Sequence, residues 1–321
     1  MAESAADYLR DLGKVRDWGI KGFHRSPDGV GATDLAVQAG RGALDKAGLT
    51  GADVDLVVLA LTDVPEYLYW DASAATQAGL GASHAEAFLV NQACSGGVAA
   101  FDVVAGKFAT HQEYRVALLI GVNRTCEQYW NRMDSGTSVM SDGAAAAVLV
   151  RGHAECTWLG TSVLSDGRFA NAIRLAGGGT AAPFTGGSGA PEQVGNPIAL
   201  MDEFYGHNLG ELVRFLRFTQ DRNHEVLQQT CKRAGVPVES VRHILHINGQ
   251  LKVLQDYADS FGIPLENTNA AIAVEHGHFG SADQIMAFGL MHAEGRFSRG
   301  EPVALTSTGN GMHWACTLLR I

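Results

Sequence analysis

The chain has 321 residues, 46% hydrophobic and 18% charged, enough to bury a sizeable core in one large domain or two fused halves. A formal charge of −10 argues against a general nucleic-acid binder, because phosphate contacts need clustered lysine and arginine. No apolar run approaches the roughly 20 residues of a membrane span, and five widely spaced cysteines without a CxxC point to a reducing, cytoplasmic setting rather than a disulfide framework.

The first dozen residues are charged and helix-like, unlike a signal peptide. A helix is predicted from a cap near Thr33-Asp34 to Gly48, where glycine suits the left-handed position. Leu56 to Leu61 and Val116 to Ile120 are continuous apolar runs and predict strands buried on both faces. Between them, Ala87 to Val90 predicts a short strand, and Val98, Phe101, Val104 and Phe108 recur at helical spacing. Asn91-Gln92-Ala93-Cys94-Ser95-Gly96-Gly97 forms the corner between the two. A cysteine there lies against the positive end of the helix dipole, which favours its thiolate. The two glycines after it admit close approach of backbone or substrate. Locally, a nucleophile and a buried structural cysteine are equally served. Asp142 is read as serving a turn before a strand over Ala144 to Val150. Ala176 to Pro197, glycine-rich without a phosphate-loop lysine, reads as a flap or linker. Glu211 to Phe218 is amphipathic.

Shifted against itself by 187 positions, the sequence repeats its pattern. Ala47-Gly48-Leu49 falls on Ala234-Gly235-Val236, Leu56 to Leu59 on His243 to His246, and Val116-Ala117-Leu118 on Val303-Ala304-Leu305. Apolar strands alternating with helices imply parallel strands joined by crossovers. The reading is two related α/β halves, residues 1–155 and 156–321. The offset sets the Cys94 corner opposite Glu275-His276-Gly277-His278-Phe279-Gly280-Ser281, with His246 at the end of the duplicated strand. Packing about a pseudo-twofold axis predicts that Cys94, His246 and His278 converge.

The corner motif, Ser141-Asp142-Gly143-Ala144-Ala145-Ala146, His246-Ile247-Asn248, Gly277-His278-Phe279-Gly280-Ser281-Ala282 and Gly309-Asn310-Gly311-Met312-His313-Trp314 occur in a specific order and spacing. Together they resemble the thiolase-fold condensing enzymes, within them the ketoacyl-acyl-carrier-protein synthase III group, from about Gly19 to Ile321. The resemblance implies a five-layered αβαβα thiolase fold and a homodimer. It implies Cys94 as the acyl-accepting nucleophile and His246 as the first active-site histidine, with His278 standing where the family normally has asparagine. The backbone N–H groups of Cys94 and Asn310 are implied as the oxyanion hole. Asn248 and Phe279 are expected at the substrate, although Asn248 equally suits a strand end. The acyl donor is expected to be a coenzyme A or carrier-protein phosphopantetheine thioester, with no further cofactor, no metal, no nucleic acid and no membrane.

Three departures shape the expected reaction. The set is Cys-His-His, the family's first strand is missing, and Arg16-Asp17-Trp18-Gly19-Ile20-Lys21 does not reproduce the aromatic-plus-arginine clamp on the coenzyme A adenine. These favour a carrier-protein donor and a condensation in a specialised polyketide- or fatty-acid-like pathway. Ester or amide formation without loss of carbon dioxide, and a non-catalytic partner subunit, are the alternatives.

Asp283 is read first as a helix-dipole residue and second as a carboxylate orienting a histidine. His276 is read as packing, since no fourth ligand completes a zinc site. Tyr67, Tyr69, Trp70, Phe184, Phe204 and Tyr205 are read as core, or else as shaping an acyl pocket. Lys21, Arg25, Arg214, Arg217 and Lys252 are candidate docking points for an acidic carrier protein.

Overall fold

The unalternating apolar runs form strands that need cover on both faces, and helices supply it. The computed structural model describes residues 12–175, 177–184 and 196–321. In chain order the first half contains α1 (Ala32–Ala47), β1 (Leu56–Leu61), α2 (Ala72–Leu80), β2 (Glu86–Val90), α3 (Gly96–Thr110), β3 (Val116–Asn123) and β4 (Gly143–Val150). The second contains β5 (Thr157–Ser165), α4 (Pro197–Phe204), α5 (Leu209–Ala234), β6 (His243–Leu245), α6 (Leu251–Phe261), α7 (Ala270–His276), α8 (Asp283–Ala293), β7 (Pro302–Gly309) and β8 (His313–Arg320).

One sheet has the order β2-β1-β3-β4, the other β5-β8-β7-β6. β1 pairs in parallel with β2 and β3, and β4 runs antiparallel to β3. In the second sheet β6 is parallel to β7, while β8 is antiparallel to both β7 and β5. Thus β1-β3-β4 and β6-β7-β8 share order and sense, and α3 and α8 start 187 positions apart. The repeat is structural. α1 and α2 cover the outer face of the first sheet, α3 and α8 fill the space between the sheets, and α5 covers the outer face of the second. This is the five-layered αβαβα arrangement of the thiolase fold.

The halves differ at two edges. The second has no counterpart of β2, because helix α7 occupies that stretch. The first has no counterpart of β5: among the described residues no strand precedes β1, so the outer edge of β4 is unpaired. Helix α1 ends at Gly48 as predicted, with φ +67°. Its start lies earlier than Thr33, because the Asp34 carboxylate accepts a 2.9 Å hydrogen bond from the backbone of Gly31 instead.

The seam between the halves explains two glycines. A Cβ on Gly97 would sit 1.9 Å from the carbonyl oxygen of Ser281, and one on Gly121 would sit 2.3 Å from it. The bare backbone therefore lets the corner of the second half enter the first sheet. There the Ser281 hydroxyl donates to the carbonyl of Ala60 at 2.7 Å and accepts from the backbone of Val122 at 3.1 Å. The Ser307 hydroxyl in turn donates to the carbonyl of Cys94 at 2.8 Å. Each lobe thus fixes the other's corner.

Asp142 does more than serve a turn. Its side chain is wholly buried and bridges to the guanidinium of Arg132 at 3.0 Å, and also accepts from the backbone of Ser26 and Thr125. Burying an ion pair is tolerable only with such full satisfaction. The pair anchors the segment from Arg124 to Asp142, which forms one wall of the cavity described next.

Candidate active site

Cys94 stands in a single tight turn, Ala93–Ser95, between β2 and α3. Ala93 has φ +47°, a left-handed conformation that a residue with a Cβ adopts only under constraint. The turn presents the Cys94 side chain at the strand-to-helix corner, beside the start of α3. His278 Nε2 lies 3.2 Å from Cys94 Sγ. Its other ring nitrogen, Nδ1, lies 2.5 Å from Oδ2 of Asp283, a carboxylate with no solvent exposure. Asp283 is fixed in turn by backbone donors, Asn248 at 2.7 Å and Phe279 at 2.7 Å.

The chain therefore lines up a cysteine, a histidine and a carboxylate in the order that a nucleophile, a base and an orienting acid would need. Burial alone would lower the pKa of His278. The charge of Asp283, followed by Cys94 and the hydrogen bonds to both, outweighs it and holds the ring well above 6.5. His278 is thus able to hold a proton beside the Cys94 sulfur.

His246 is a different kind of group. Its ring stacks on Tyr257, with centroids 4.0 Å apart, and its Nδ1 lies 3.0 Å from the hydroxyl of Thr306. Burial pushes its pKa down to about 3, opposed by the Thr306 hydrogen bond and assisted by nearby His278. Burial thus favours its neutral form. The predicted convergence is thus met by Cys94 and His278 in direct contact, while His246 does not line the cavity and senses His278 electrostatically.

A cavity of about 320 Å³ opens from Cys94 and His278. Its apolar wall includes Trp130, Met140, Ile198, Met201, Phe215 and Met312. Asn310, expected to lend its backbone N–H to an oxyanion, lines the same cavity beside Gly309. Asn248 and Phe279 do not line it. Asn248 is spent on the scaffold: its Nδ2 donates to the carbonyl of Gly277 at 2.7 Å and its Oδ1 accepts from Asn269 at 2.6 Å. Phe279 packs its ring over Gly143, where a Cβ would come within 2.6 Å of it. Both brace the site from behind the cavity wall.

The remaining residues singled out from the sequence are placed as follows. Tyr67 and Tyr69 are exposed, Phe204 and Tyr205 join a ring cluster with Phe169 and Phe215, and none of the six aromatics lines the cavity. The aromatic walls are Trp130 and Phe215. Among the docking candidates, Lys21 pairs with Glu275 at 2.7 Å and Arg25 with Glu127 at 3.0 Å, while Arg214 and Lys252 pair with Glu211 and Asp256. These four cations are locally neutralised. His276 faces His24, with ring nitrogens 3.0 Å apart, and among the described residues no cluster of three or more His, Cys, Asp or Glu is arranged to hold a metal. All five cysteines are free. Most of the flap read over Ala176 to Pro197 lies outside the described residues. No helix of the described residues is long and apolar enough to cross a membrane.

Sequence comparison agrees with the geometry. The family described as 3-oxoacyl-[acyl-carrier-protein (ACP)] synthase III matches residues 88–167, and its C-terminal part matches residues 231–321. A beta-ketoacyl-[acyl-carrier-protein] synthase III from Caulobacter vibrioides is 30% identical, over 96% of this chain and 90% of that relative. The chain belongs to this synthase III family. A second relative of the same name, from Rhodobacter capsulatus, is 29% identical over 98% of the chain and 93% of its own length. Among solved structures, the synthase III FabH of Pseudomonas aeruginosa PAO1 superposes with a TM-score of 0.75 at 25% identity, covering 96% of this chain and 89% of that one. ChlB3, described as an acyltransferase, superposes with a TM-score of 0.84 at 19% identity, covering 96% of this chain and 89% of its own. The synthase III family consists of acyl-transferring enzymes, and this chain is one of its members.

Asp283 is the site residue that first-choice sequence reasoning passed over. An acid opening a helix is explained by the dipole alone. The available signal was its spacing of five from His278 across a glycine turn, which lets a carboxylate fold back on the ring.

Proposed function

We propose that the protein is a Cys94-dependent acyltransferase that passes its acyl group to a heteroatom without decarboxylation. Cys94 sulfur attacks the carbonyl carbon of an acyl thioester presented by coenzyme A or a carrier protein. The resulting oxyanion is met by the backbone N–H groups of Cys94 and Asn310. His278 takes the Cys94 thiol proton as the sulfur attacks and hands it to the departing thiolate as the intermediate collapses. In the second half-reaction His278 takes the proton of an acceptor hydroxyl, amine or thiol, which attacks the Cys94 thioester. Cys94 leaves as the thiol or thiolate, and an ester, amide or new thioester is released.

The observation that carries this reading is the 2.5 Å contact between Asp283 and His278 Nδ1. Decarboxylative condensation needs neutral donors on the thioester carbonyl of the extender, not a base. A carboxylate-backed histidine with a raised pKa is what proton transfer to and from an acceptor requires.

Condensation remains the second reading, and His246 favours it. A buried imidazole whose neutral form is favoured is suited to hydrogen-bonding an enolate oxygen. Acyl-loaded enzyme offered malonyl-carrier protein in one vessel, and alcohols, amines and carrier-protein thiols in another, separates the two. Product ester, amide or transferred thioester without carbon dioxide supports acyl transfer. A β-keto product with carbon dioxide release overturns it. The protein is further proposed to act as a cytoplasmic homodimer, with the free edge of β2 available for pairing.

A further inference from the structure

We propose that the free edge of β4 is a self-association surface, which pairs antiparallel with β4 of a second copy of this chain about a two-fold axis at Ala147. The contact is separate from pairing at β2, the opposite edge of the same sheet. It does not depend on the reaction catalysed.

The strand register fixes which backbone groups are free. Arg151 donates its N–H to the carbonyl of Arg115 at 2.9 Å, and Leu149, Ala147 and Ala145 stand opposite Ala117, Leu119 and Gly121. Alternation along an antiparallel ladder turns these odd-numbered residues toward β3. It turns the N–H and C=O groups of Ala144, Ala146 and Val148 outward. No strand among the described residues receives them. β1 is buried throughout, whereas every residue of β4 keeps partial exposure. Natural proteins protect such an edge with lysine, proline or a bulge. The run Gly143-Ala144-Ala145-Ala146-Ala147-Val148-Leu149-Val150 contains no charge and no proline, and it follows β3 without a register shift.

Two observations name the occupant. In the second half the equivalent edge, that of β8, carries β5, and β5 runs antiparallel. An antiparallel strand is what a two-fold copy of β4 presents by symmetry. The run is also complementary to its own reverse. With the axis at Ala147, Ala146 faces Val148 of the second copy, Ala145 faces Leu149 and Ala144 faces Val150, so each methyl meets a branched side chain. Beside the edge lies a groove of about 620 Å³, lined by Ala147 and Leu149 together with Phe108, Phe288 and Leu305. Trp158 lines it too, with 38% of its surface exposed. Extending the sheet past β4 covers this apolar ground.

Sedimentation velocity of the full chain and of Ala146→Pro tests the pairing. Proline at 146 removes an N–H that faces away from β3, so the protomer keeps its own ladder while the edge is blocked. The wild type is expected to sediment at twice the mass of the variant. Ala147→Cys gives a second arm should the proline variant fail to fold. Residues on the axis form a pair with Cα atoms about 4.5 Å apart, within reach of a disulfide. Mild oxidation is expected to convert Ala147→Cys to a covalent dimer on a non-reducing gel. Ala145→Cys, which faces Leu149 instead, is expected to yield none above the wild type. Equal sedimenting mass for the wild type and a folded Ala146→Pro overturns the proposal. So does a yield from Ala147→Cys no greater than from the wild type or from Ala145→Cys.

Discussion

Asp283 holds Nδ1 of His278 at 2.5 Å while Nε2 of the same ring faces the sulfur of Cys94 at 3.2 Å. One imidazole thus connects a buried carboxylate to the Cys94 sulfur, and each lobe of the duplication contributes one end. The consequence is directional. The carboxylate fixes which nitrogen carries a proton toward Asp283 and leaves the other to exchange one with sulfur or substrate.

Replacing Asp283 by Asn removes the charge and turns an amide toward the ring. The rate of Cys94 acylation is expected to fall by about 10²–10⁴, as when the orienting acid of a hydrolase triad is lost. Intact-mass time courses measure it. A loss below about fivefold contradicts the orienting role.

The same pair makes stability depend on pH. A histidine whose folded pKa is raised above its unfolded value of about 6.5 contributes stabilisation that is fully present below 6.5. That contribution disappears as the pH rises through the folded value. The stability gap between the wild type and Asp283→Asn is therefore largest at pH 6 and below, and narrows in alkali. Urea titrations at pH 6 and pH 9 check the sign.

His246 has the opposite dependence. With its folded pKa pushed down to about 3, the unfolded chain gains a proton below about pH 6.5 that the folded chain refuses. Stability is present above that pH and drains as it falls toward 3. Between pH 7 and 4.5 this one group costs the fold about 2–3 kcal/mol. In His246→Gln that part of the acid limb flattens, which urea melts at the two pH values would register.

At the seam, Gly97→Ala drives a Cβ to 1.9 Å from the Ser281 carbonyl, a backbone atom that cannot swing away. Destabilisation of about 3 kcal/mol or more is expected, together with loss of Cys94 acylation. Gly106→Ala in the same helix meets nothing within 4 Å and is expected to stabilise by about 0.5–1 kcal/mol. Thermal melts of the two variants should move in opposite directions.

Much of the fold was legible because the repeat is written in strand and helix boundaries rather than in identities. The offset that placed α3 on α8 also placed the Cys94 corner opposite the corner that carries His278, and their contact follows from two corners meeting at a pseudo-symmetric seam. What sequence could not rank is the meaning of groups whose neighbours are distant in the chain. Asn248 and Phe279 flank the catalytic motifs, yet their side chains turn into the scaffold, since a motif fixes position along the chain and not side-chain direction. Asp142 looked like a turn residue until Arg132 closed on it. The cavity aromatics were misplaced for a related reason: Trp130 lies on a segment held by that ion pair, whose partners stand ten residues apart with no motif to announce them.

The central claim is that Cys94 becomes acylated with His278 as its proton partner. Intact-protein mass after incubation with an acyl-pantetheine thioester tests it most directly. The account predicts one added acyl mass in the wild type, none in Cys94→Ala, and a strongly slowed gain in His278→Ala. An acyl adduct that persists in Cys94→Ala, or that forms at the wild-type rate in His278→Ala, would contradict it.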